Sequence, residues 1–450
     1  MATASAARKA AYAVLLAVER GQAHSDDLLR GKAVRALSMA DRNLATALVL
    51  GVLRWQIRLD RQLQVLLTRP NAKLDAEVRV ALRMGALQLL HMDRIPARAA
   101  IDESVELAKQ AGHRFAAGMV NAVLRKLAVA PATKFPEETA EELALAEAHP
   151  AWMVERWARS YGMEAARAIC RHGQTQPALA VRLAEDAVAA ELAAEGVRLE
   201  PGVLLRGARV VAEGDVTRTV AFREGRARIQ DEGSQLVAEL AGHGSAILDC
   251  CAAPGGKTLI LAERNPQARL VACEWSAQRV AQLRERLAGL GERVECRQAD
   301  ASALAERDTF DVVLADVPCS GTGTLGRNPE IRHRLRAEEL ARQAERQRAI
   351  LRAALDAASA GGRVVYSTCS LEPEENEQVV AAVLAERPEV RVAAMRECLD
   401  ALRCEGAMGD DAAERLLACV TPEGFLRLLP GVFGTDGFFI AVLERGGGAA

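Results

Sequence analysis

The sequence lacks the patterns that would place the chain in a membrane, outside the cell or around a structural metal. No apolar run approaches the ~18 residues that a membrane-spanning helix needs. The ten cysteines include no C-x-x-C pair and no zinc-type spacing, so we expect reduced thiols and no metal site. The first residues contain no signal-peptide core, and we expect a cytoplasmic chain. The dinucleotide fingerprint G-x-G-x-x-G is also absent, which argues against NAD.

The apolar content of the chain is sufficient for more than one folded domain. Of its 450 residues, 50% are hydrophobic and 26% are charged, a composition typical of globular proteins. Because a single hydrophobic core does not extend over so long a chain, we expect two or three domains.

The net charge of −2 conceals an uneven distribution. Residues 1–130 carry 20 Lys and Arg against 11 Asp and Glu, a net +9, whereas the remainder carries 38 against 49, a net −11. A basic module joined to an acidic one favours a polyanionic partner, such as nucleic acid, for the basic part. The alternative is that these charges are spread evenly over a helical surface.

Residues 1–130 show helical periodicity and predict a helical bundle. Ser38, with Asp41 three residues later, resembles a capping box before a helix at residues 44–55. Further helices are predicted at residues 78–91, 101–109 and 119–127. The segments HMDRIPARAAIDESVELAK (residues 91–109) and VNAVLR (residues 120–125) resemble the RNA-binding domain of NusB-type antitermination factors.

Two shorter regions follow the helical module. Residues 131–148 hold prolines and a run of glutamates, and we interpret them as an exposed linker. Residues 149–235 predict a small α+β domain, with Trp152 and Trp157 on a short helix. Its predicted strands cover residues 181–183, 197–199 and 203–211.

Residues 236–445 alternate strands and helices, which predicts an α/β domain with a doubly wound, mostly parallel sheet. The predicted parallel strands cover residues 246–250, 270–274, 294–297, 311–315 and 362–368. A late antiparallel strand is predicted at residues 438–443, and the main helices are predicted at residues 277–288 and 336–358.

The stretch LDCCAAPGGKT at residues 248–258 is the feature around which this domain is organised. It connects a predicted buried strand to a predicted helix, at the place where open α/β sheets bind their ligands. Its glycines let the backbone approach a ligand closely, and its free amides face an anion. The alternative is an ordinary strand-to-helix turn.

Acidic residues follow the next two strands. Glu274 ends the second strand, where a carboxylate can accept hydrogen bonds from both ribose hydroxyls of a nucleoside. Asp300 lies just past the third strand and can meet an adenine edge. Each acid alone is equally well explained as a helix cap. Together with the glycine turn, the two acids outline a nucleoside pocket that suits S-adenosylmethionine.

Two cysteines follow the fourth and fifth strands. Cys319 lies in ADVPCSGTG (residues 315–323) and Cys369 in YSTCS (residues 366–370). Because adjacent strand ends are about 5 Å apart, both thiols could serve one substrate. A lone cysteine is more often an inert small hydrophobe, but two at neighbouring strand ends favour a shared role. Asp316 can bond the ring nitrogen or amino edge of a pyrimidine.

The chemistry of cytosine gives such a cysteine pair a purpose. Carbon 5 of the base is a poor nucleophile until a thiolate adds to carbon 6, after which it can attack a methyl sulfonium. A second group nearby can then assist expulsion of the thiol, and Asp316 would stabilise the protonated ring. From the residues alone, either cysteine could be the attacking group.

Taken together, the motifs resemble those of the Nol1/Nop2/Sun family of RNA cytosine-5 methyltransferases over residues 149–445. With the NusB-like module added, the whole chain resembles the members that act on bacterial small-subunit ribosomal RNA. The motifs are DCCAAPGGK (residues 249–257), DVPCSGTG (316–323), RNPEIR (327–332), YSTCS (366–370), EPEEN (372–376) and DGFF (436–439).

The resemblance implies a Rossmann-like class I methyltransferase domain that uses S-adenosyl-L-methionine. It also implies that Cys369 is the nucleophile, that Cys319 assists product release and that Asp316 contributes to the chemistry. The implied cofactor-binding residues are Cys251, Ala252, Ala253, Pro254, Gly255, Gly256, Lys257, Glu274, Asp300 and Asp316. The implied substrate is a cytosine of 16S ribosomal RNA, naked or in early small-subunit particles, and we expect a monomer with no membrane partner. Residues 398–419 match no motif.

Two other functions stay open at this point. An exocyclic-amine methyltransferase of nucleic acids needs no thiol, so the cysteine pair argues against it. A non-catalytic RNA-binding ribosome assembly factor built on a dead enzyme would not need intact cofactor and cysteine motifs.

Overall fold

The computed structural model describes residues 4–70, 73–131 and 133–446. The chain divides into two compact units. The first unit comprises Met1–Thr175 together with Leu325–Arg334, and the second comprises Gln176–Thr324 together with Leu335–Ala450. The first unit therefore includes a short segment from within the methyltransferase-like part of the sequence.

The first unit is helical, as the periodicity of the sequence predicts for residues 1–130. Its helices are α1 (Ala6–Glu19), α2 (Ser25–Leu29), α3 (Lys32–Arg35), α4 (Met39–Gln64), α5 (Ala76–His91), α6 (Ala97–Gln110), α7 (Ala117–Val129), α8 (Ala140–Ala146), α9 (Ala151–Tyr161), α10 (Met163–Gln174) and, from the later segment, α16 (Ile331–Arg334). The four helices predicted between residues 44 and 127 lie within α4, α5, α6 and α7. The apolar faces of the helices from α1 to α7 contribute to a core cluster in which Leu48, Leu82 and Leu124 are buried.

Helix α4 begins before the predicted residue 44, because Ser38 is its N-cap residue. The Ser38 hydroxyl oxygen accepts from the backbone amide of Asp41 at 3.1 Å, and the helix starts at the next residue, Met39. The Asp41 carboxylate accepts from the Ser38 hydroxyl at 2.8 Å. The cap is therefore one-sided and not the reciprocal capping box that the sequence suggested.

The stretch interpreted as an exposed linker, residues 131–148, contains the packed helix α8. Thr139 and Glu142 form a full capping box: the Thr139 hydroxyl accepts from the Glu142 amide at 3.2 Å, and the Glu142 carboxylate accepts from the Thr139 amide at 3.0 Å. Leu143 is then fully buried. The prolines and glutamates favour a linker, but the capping pair outweighs them and starts a helix.

The second unit begins with a small antiparallel sheet in the order β2-β3-β1-β4. Its elements are β1 (Ala180–Leu183), α11 (Ala187–Ala194), β2 (Arg198–Pro201), β3 (Ala208–Glu213), α12 (Val220–Arg223), β4 (Ala227–Ile229) and α13 (Glu232–Glu239). Strand β3 starts later than the predicted residue 203. The amides of Val203, Leu204 and Leu205 instead donate to the buried Glu232 carboxylate at 2.7–2.9 Å, which fixes them as a turn.

The large sheet has the order β10-β12-β9-β8-β5-β6-β7, with β11 paired to β12. Strands β5 to β9 pair in parallel, and β12 runs antiparallel to β9, as predicted. The strands are β5 (Ala246–Asp249), β6 (Arg269–Glu274), β7 (Val294–Gln298), β8 (Phe310–Asp316), β9 (Ala358–Thr368), β10 (Val390–Val392), β11 (Leu426–Leu428) and β12 (Phe438–Arg445).

Helices cover the large sheet and bury its apolar side chains. They are α14 (Gly256–Arg264), α15 (Ala277–Leu287), α17 (Ala337–Ala357), α18 (Glu377–Glu386), α19 (Met395–Cys404) and α20 (Asp410–Leu417). The last two occupy most of residues 398–419, which match no sequence motif, and bury Leu399, Leu402 and Leu416 in the core of the sheet. No helix in the described ranges combines the length and apolar character that a membrane crossing requires.

Strand β5 lies between β6 and β8, so the chain changes direction across the sheet at this strand. Ligands of open α/β sheets bind beyond the carboxyl end of such a strand. The glycine turn and the first cysteine motif follow β5 and β8, and the second cysteine motif follows the neighbouring β9.

Candidate active site

The glycine turn between β5 and α14 is folded tightly against strand β6. The Ala252 amide donates to the Cys273 carbonyl at 2.8 Å, and the Gly255 amide donates to the Ala252 carbonyl at 2.6 Å. Gly255 has φ +96°, and a Cβ atom there would lie 3.0 Å from Leu283 Cδ1. A side chain is therefore disfavoured at this position both by the backbone conformation and by the neighbouring helix.

Asp249, the last residue of β5, is a buried carboxylate with one unused oxygen. Its Oδ2 accepts from the Thr258 hydroxyl at 2.7 Å, whereas its Oδ1 has no hydrogen-bond partner among the described residues. Burial raises the pKa of this carboxyl from 3.8 to about 6, and the nearby Asp316 adds to the rise. A buried oxygen without a donor points to a ligand that would supply one.

Lys257 and Asp316 form an ion pair beside this carboxylate. Lys257 Nζ lies 2.7 Å from Asp316 Oδ2, and the Ser367 hydroxyl donates to Asp316 Oδ1 at 2.7 Å. Burial lowers the pKa of Lys257, but the adjacent Asp316 carboxylate outweighs it, so the pKa lies above its usual value. Lys257 also lies 5.7 Å from the ring centroid of Phe438. Lys257 is therefore charged, and its contact with Asp316, together with the Ser367 hydroxyl, holds both side chains in place.

These groups line a cavity of about 120 Å³ at the end of strand β5. Its walls include Gln230 and Ser234 from the segment before the domain and Arg286 from α15. The predicted cofactor residues Cys251, Ala252, Ala253, Pro254, Gly256, Lys257 and Asp316 also line it. Gly255 is buried in the same turn. Burial and the neighbouring carboxylates raise the pKa of the Cys251 thiol well above its usual range, so this thiol stays neutral.

Of the other two predicted cofactor residues, Asp300 lines a separate groove of about 550 Å³ beyond β6 and β7, whereas Glu274 is buried at the end of β6. Asp300 lines this groove with the exposed Trp275, and Glu274 directly precedes the tryptophan. Glu274 accepts from the Ser276 amide at 2.9 Å and pairs with Arg279 at 3.2 Å. Asp300 caps a short 3₁₀ turn.

The local hydrogen bonds of Asp300 and Glu274 are compatible with both interpretations that the sequence left open, a helix cap and a cofactor ligand. The Ser302 hydroxyl and amide donate to Asp300 Oδ1 at 2.7 and 2.9 Å, and they lower the pKa of this carboxyl. Both acids therefore accept hydrogen bonds from their own loops, and Asp300 also lines the groove at the strand ends. Their assignment to a cofactor stays a prediction.

The two cysteines lie in contact, as their positions at neighbouring strand ends predict. Cys319 Sγ and Cys369 Sγ are 3.4 Å apart, and both residues are partly buried. The hydrogen bond to Cys369 and burial raise the pKa of Cys319 well above its usual range. Cys319 is therefore a neutral thiol at neutral pH and can share its proton with the sulfur of Cys369.

A buried carboxylate without a predicted role holds the two cysteine loops together. Glu375 accepts from the Ser320 amide at 2.9 Å and from the hydroxyls of both Ser320 and Ser370. Gln347 on α17 donates to it at 3.0 Å. Each serine directly follows one of the cysteines, so Glu375 fixes the spacing of the thiols without touching them.

The end of the same motif adds a second set of bonds. Asn376 accepts from the Thr368 hydroxyl at 2.5 Å and donates to the Ser370 carbonyl at 2.9 Å. The Gly323 amide donates to the Cys369 carbonyl at 2.9 Å. A Cβ atom at Gly323 would lie 2.5 Å from the Gly437 carbonyl, which explains the glycines in DVPCSGTG and DGFF. The signal that could have revealed Glu375 and Asn376 is the EPEEN motif itself, to which the sequence alone assigns no role.

The structure thus brings most of the predicted site together. Asp316, Lys257 and Asp249 meet at the end of β5, and Lys257 is close enough to Cys369 for the two to interact electrostatically. Asp300 lines the neighbouring groove, and Glu274 directly precedes Trp275 in its wall. Within the described ranges, no group of three His, Cys, Asp or Glu residues is arranged to hold a metal ion.

Comparison with protein-family models divides the chain into three segments. Residues 239–444 match the model of the 16S rRNA methyltransferase RsmB/F, and residues 5–129 match the NusB family. Residues 149–216 match a ferredoxin-like domain of RsmF/B-like methyltransferases. The domain boundaries themselves stay a prediction.

The chain is also similar to named relatives and to solved structures over most of its length. The chain is 34% identical to the probable ribosomal RNA small subunit methyltransferase B of Bacillus subtilis (strain 168), covering 98% of this chain and 99% of that protein. It is also 34% identical to ribosomal RNA small subunit methyltransferase B of Pseudomonas putida, over 84% and 85% of the two chains. The crystal structure of PH0851 is similar in fold, with a TM-score of 0.77 and 23% identity over 97% and 98% of the two chains. NSun6 from Pyrococcus horikoshii, solved with SFG, shares the fold at a TM-score of 0.55 and 19% identity, over 66% and 99% of the two chains.

Proposed function

Since the chain belongs to the family of ribosomal RNA small subunit methyltransferase B, we propose that it transfers a methyl group from S-adenosylmethionine to carbon 5 of a cytosine in 16S ribosomal RNA. The observation that carries this proposal is the contact between Cys319 and Cys369 at 3.4 Å, beside the Lys257–Asp316 ion pair. Methylation of an exocyclic amine would not use a thiol pair.

The residues around the glycine turn fit S-adenosylmethionine. The unpartnered Oδ1 of Asp249 can accept from a cationic amine, and residues of the glycine turn line the same cavity. Glu274 can accept from ribose hydroxyls, and Asp300 from the amino group of adenine. When bound, S-adenosylmethionine supplies an electrophilic methyl group.

Asp316 would hold the target base. Lys257 and Ser367 together bond both of its oxygens, so the carboxylate is fixed in orientation before the base arrives. A carboxylate held in this way can accept from the amino edge of cytosine and stabilise a protonated ring nitrogen. The target nucleotide must leave its base stack to reach Asp316.

Cys369 would act as the nucleophile, a role that the family resemblance assigns to it. Its thiolate sulfur forms a bond to carbon 6 of cytosine, and the electron pair of the C5–C6 double bond becomes available at carbon 5. After carbon 5 has been methylated, its proton passes to solvent water and the electron pair of that C–H bond restores the C5–C6 double bond, while the bond between sulfur and carbon 6 breaks and its electron pair stays on sulfur. Cys319, a neutral thiol in contact with Cys369, can donate its proton to the departing sulfur.

The helical module would supply RNA affinity. Residues 1–130 carry a net +9, and basic residues that neutralise phosphates release counterions on binding. Several of these side chains are exposed, including Lys32, Arg35, Arg94 and Lys126. We propose that the protein acts as a cytoplasmic monomer, on naked 16S rRNA or on early small-subunit particles.

The proposal is tested by transfer of labelled methyl groups to 16S rRNA from a strain that lacks this gene, followed by nucleoside analysis. We expect the label in 5-methylcytosine, none with Cys369→Ala and normal labelling with Cys404→Ala, which changes an exposed cysteine. Label in an N-methylated nucleoside, or full activity of Cys369→Ala, would show that the proposed reaction is wrong.

A further inference from the structure

Three side chains that line the cavity at the end of strand β5 come from outside the sequence motifs. Gln230 lies between β4 and α13, Ser234 lies on α13, and Arg286 lies on α15. All three belong to the second unit, as do the end of β5 and the glycine turn. Neither the thiol chemistry nor the contacts proposed for the ribose and the adenine involve these side chains.

Gln230 is held in place by its backbone. Its amide donates to the Ala180 carbonyl of β1 at 3.1 Å, and its carbonyl accepts from the side chain of Gln235 at 3.0 Å. Its side-chain nitrogen donates to the Ser234 hydroxyl at 3.3 Å, whereas its Oε1 is buried without a hydrogen-bond partner among the described residues. The side chain therefore presents an acceptor that lacks a donor.

A second acceptor without a donor, Asp249 Oδ1, belongs to the same cavity. Gln230 Oε1 lies over the first residue of α14, since a Cβ atom at Gly256 would be 3.2 Å from it. The glycine thus leaves room for the Gln230 amide. Two buried acceptors in one cavity point to a ligand with several N–H donors, and a primary ammonium group has three.

Arg286 adds an unpaired cation to the cavity. Its side chain lies over the glycine turn, since a Cβ atom at Gly255 would be 3.5 Å from Arg286 Cδ. No acid among the described residues forms an ion pair with Arg286, whereas Lys257, the other cation of the cavity, is paired with Asp316. The Arg286 guanidinium can therefore bind a carboxylate of a ligand.

The cavity thus combines acceptors for an ammonium group with a cation for a carboxylate, which is the complement of a zwitterionic amino acid. Its volume of about 120 Å³ is below the ~300–1,000 Å³ of pockets that enclose a whole drug-sized ligand, so it suits one end of a larger molecule.

We propose that this cavity binds the amino-acid end of S-adenosylmethionine, with Gln230 as an acceptor for the ammonium group beside Asp249 and Arg286 as the partner of the carboxylate. This inference rests on the proposed function, which supplies the cofactor. Gln230 and Arg286 then determine cofactor specificity. A site built to bond such groups rejects analogues that lack them, because its buried polar groups stay unpaired.

The test is calorimetry on the full-length protein without RNA, using two nucleosides. S-adenosylhomocysteine has the amino-acid end, whereas 5′-methylthioadenosine has the adenosine and the thioether sulfur but no amino acid. The wild type should bind S-adenosylhomocysteine on the order of tenfold more tightly or better, since a hydrogen bond to a charged group is lost with the other nucleoside.

Gln230→Ala should weaken S-adenosylhomocysteine on the order of tenfold and leave 5′-methylthioadenosine unchanged, which also shows that the variant is folded. Gln230→Glu keeps an acceptor at this position and should bind S-adenosylhomocysteine within about threefold of the wild type. Arg286→Gln should weaken it about threefold, since a partly exposed ion pair contributes less. Gln282→Ala and Arg223→Gln, which change exposed residues, are the matched controls.

Unchanged binding of S-adenosylhomocysteine by Gln230→Ala would overturn the inference, as would an equal loss of both nucleosides. If Gln230→Glu binds as poorly as Gln230→Ala, Gln230 is not an acceptor for the ligand. If Arg286→Gln binds as the wild type does, Arg286 does not hold the carboxylate. A wild-type protein that binds neither nucleoside would contradict the proposed function itself, so the two failures are distinguishable.

Discussion

The candidate active site has a thiol side, around Cys319 and Cys369, and a cofactor side, around the glycine turn. The two sides differ in how their buried polar groups are hydrogen-bonded within the protein. On the thiol side, Ser320, Ser370 and Gln347 all bond the buried Glu375, so the loops that carry Cys319 and Cys369 are fixed in the protein alone. On the cofactor side, a buried oxygen of Asp249 has no donor among the described residues, and Glu274 and Asp300 bond neighbouring groups of their own loops.

This difference indicates what each side contributes. The thiol side carries groups whose relative geometry has to be set before the substrate arrives, and a network of buried hydrogen bonds provides such rigidity. The cofactor side has the unsatisfied polar group of a site that an external ligand completes. Changes on the thiol side should therefore lower stability and activity together, whereas changes on the cofactor side should lower mainly affinity.

The largest effect is expected from Glu375→Gln. The amide keeps one acceptor but turns a donor towards hydroxyls and amides that themselves need acceptors. Leaving buried donors unsatisfied costs roughly 1–3 kcal/mol for each group, so the variant should lose about 3 kcal/mol in its free energy of unfolding. Thermal unfolding should show a lower midpoint, and methylation should fall on the order of 10²-fold.

Glu345→Gln, which changes an exposed residue of α17, is the control for this change and should behave as the unmodified protein does. If Glu375→Gln unfolds at the wild-type temperature and methylates normally, the thiol side is not held by this carboxylate, and the contrast between the two sides disappears.

Asp249 gives the next largest effect, on the pH dependence of stability. Its folded-state pKa of about 6 lies above the unfolded value of 3.8, so the folded state binds the proton more tightly. The stabilisation from this proton is present below pH 4 and is lost as the pH rises to about 6. The free energy of unfolding falls by about 3 kcal/mol at most over this range. Asp249→Asn should remove this pH dependence, because the amide does not titrate in this range. The amide oxygen can still accept from Thr258, so the local hydrogen bond is kept.

The measurement is the difference in unfolding midpoint between about pH 4.5 and about pH 7.5, on either side of the folded-state pKa, for wild type and Asp249→Asn. Asp411→Asn, which changes an exposed residue of α20, controls for general charge effects. If the unfolding midpoint changes with pH in the same way for wild type and Asp249→Asn, the Asp249 carboxyl loses its proton at no cost in folding stability. That result would contradict a buried carboxylate oxygen without a hydrogen-bond donor.

Glu274→Ala should weaken S-adenosylhomocysteine on the order of tenfold or more, because a hydrogen bond to a charged group contributes about 1.5–3 kcal/mol. Calorimetry measures the change. Glu274→Gln keeps an acceptor for the Ser276 amide and separates the loss of binding from the loss of the local cap. Asp300→Asn should have a smaller effect, since one oxygen is already engaged by Ser302.

Unchanged affinity in Glu274→Ala, with Glu285→Ala on the exposed face of α15 as the control, would remove Glu274 from the cofactor site. The cofactor side would then lack the acid that we assign to the ribose.

The smallest effect is expected away from both sides of the site. Replacing Lys32, Arg35, Arg94 and Lys126 with serine should weaken rRNA binding and flatten its salt dependence, by roughly 0.7–0.9 in slope for each phosphate that is no longer neutralised. Binding of S-adenosylhomocysteine should not change. An identical salt slope in the variant would mean that these cations do not bind the RNA.

The sequence was sufficient for most of the sheet and for the proximity of the two thiols. Alternating apolar runs identified strands β5 to β9, and the rule that parallel strands end at one edge placed Cys319 next to Cys369. The role of Glu375 was not predictable, because it depends on the chain folding back so that one carboxylate meets both Ser320 and Ser370.

The hydrogen-bond partners of Arg332 were equally unpredictable from the sequence. Its acceptors, the carbonyls of Arg54, Ala148 and Gly173, are 278, 184 and 159 residues away in the sequence, and local patterns contain no information about such distant pairs. The α8 helix, by contrast, was missed for a local reason, since its capping pair Thr139 and Glu142 is visible in the sequence.

The most direct test of the central claim is the covalent adduct formed by the two cysteine variants. With Cys319→Ala, attack by Cys369 and methylation should proceed while expulsion of the thiol slows, so a methylated RNA–protein complex should persist in denaturing electrophoresis. With Cys369→Ala, neither adduct nor methylated product should form. An adduct with Cys369→Ala alone would reverse the roles, and its absence from both variants, when each is folded and binds S-adenosylhomocysteine, would contradict covalent catalysis by this thiol pair.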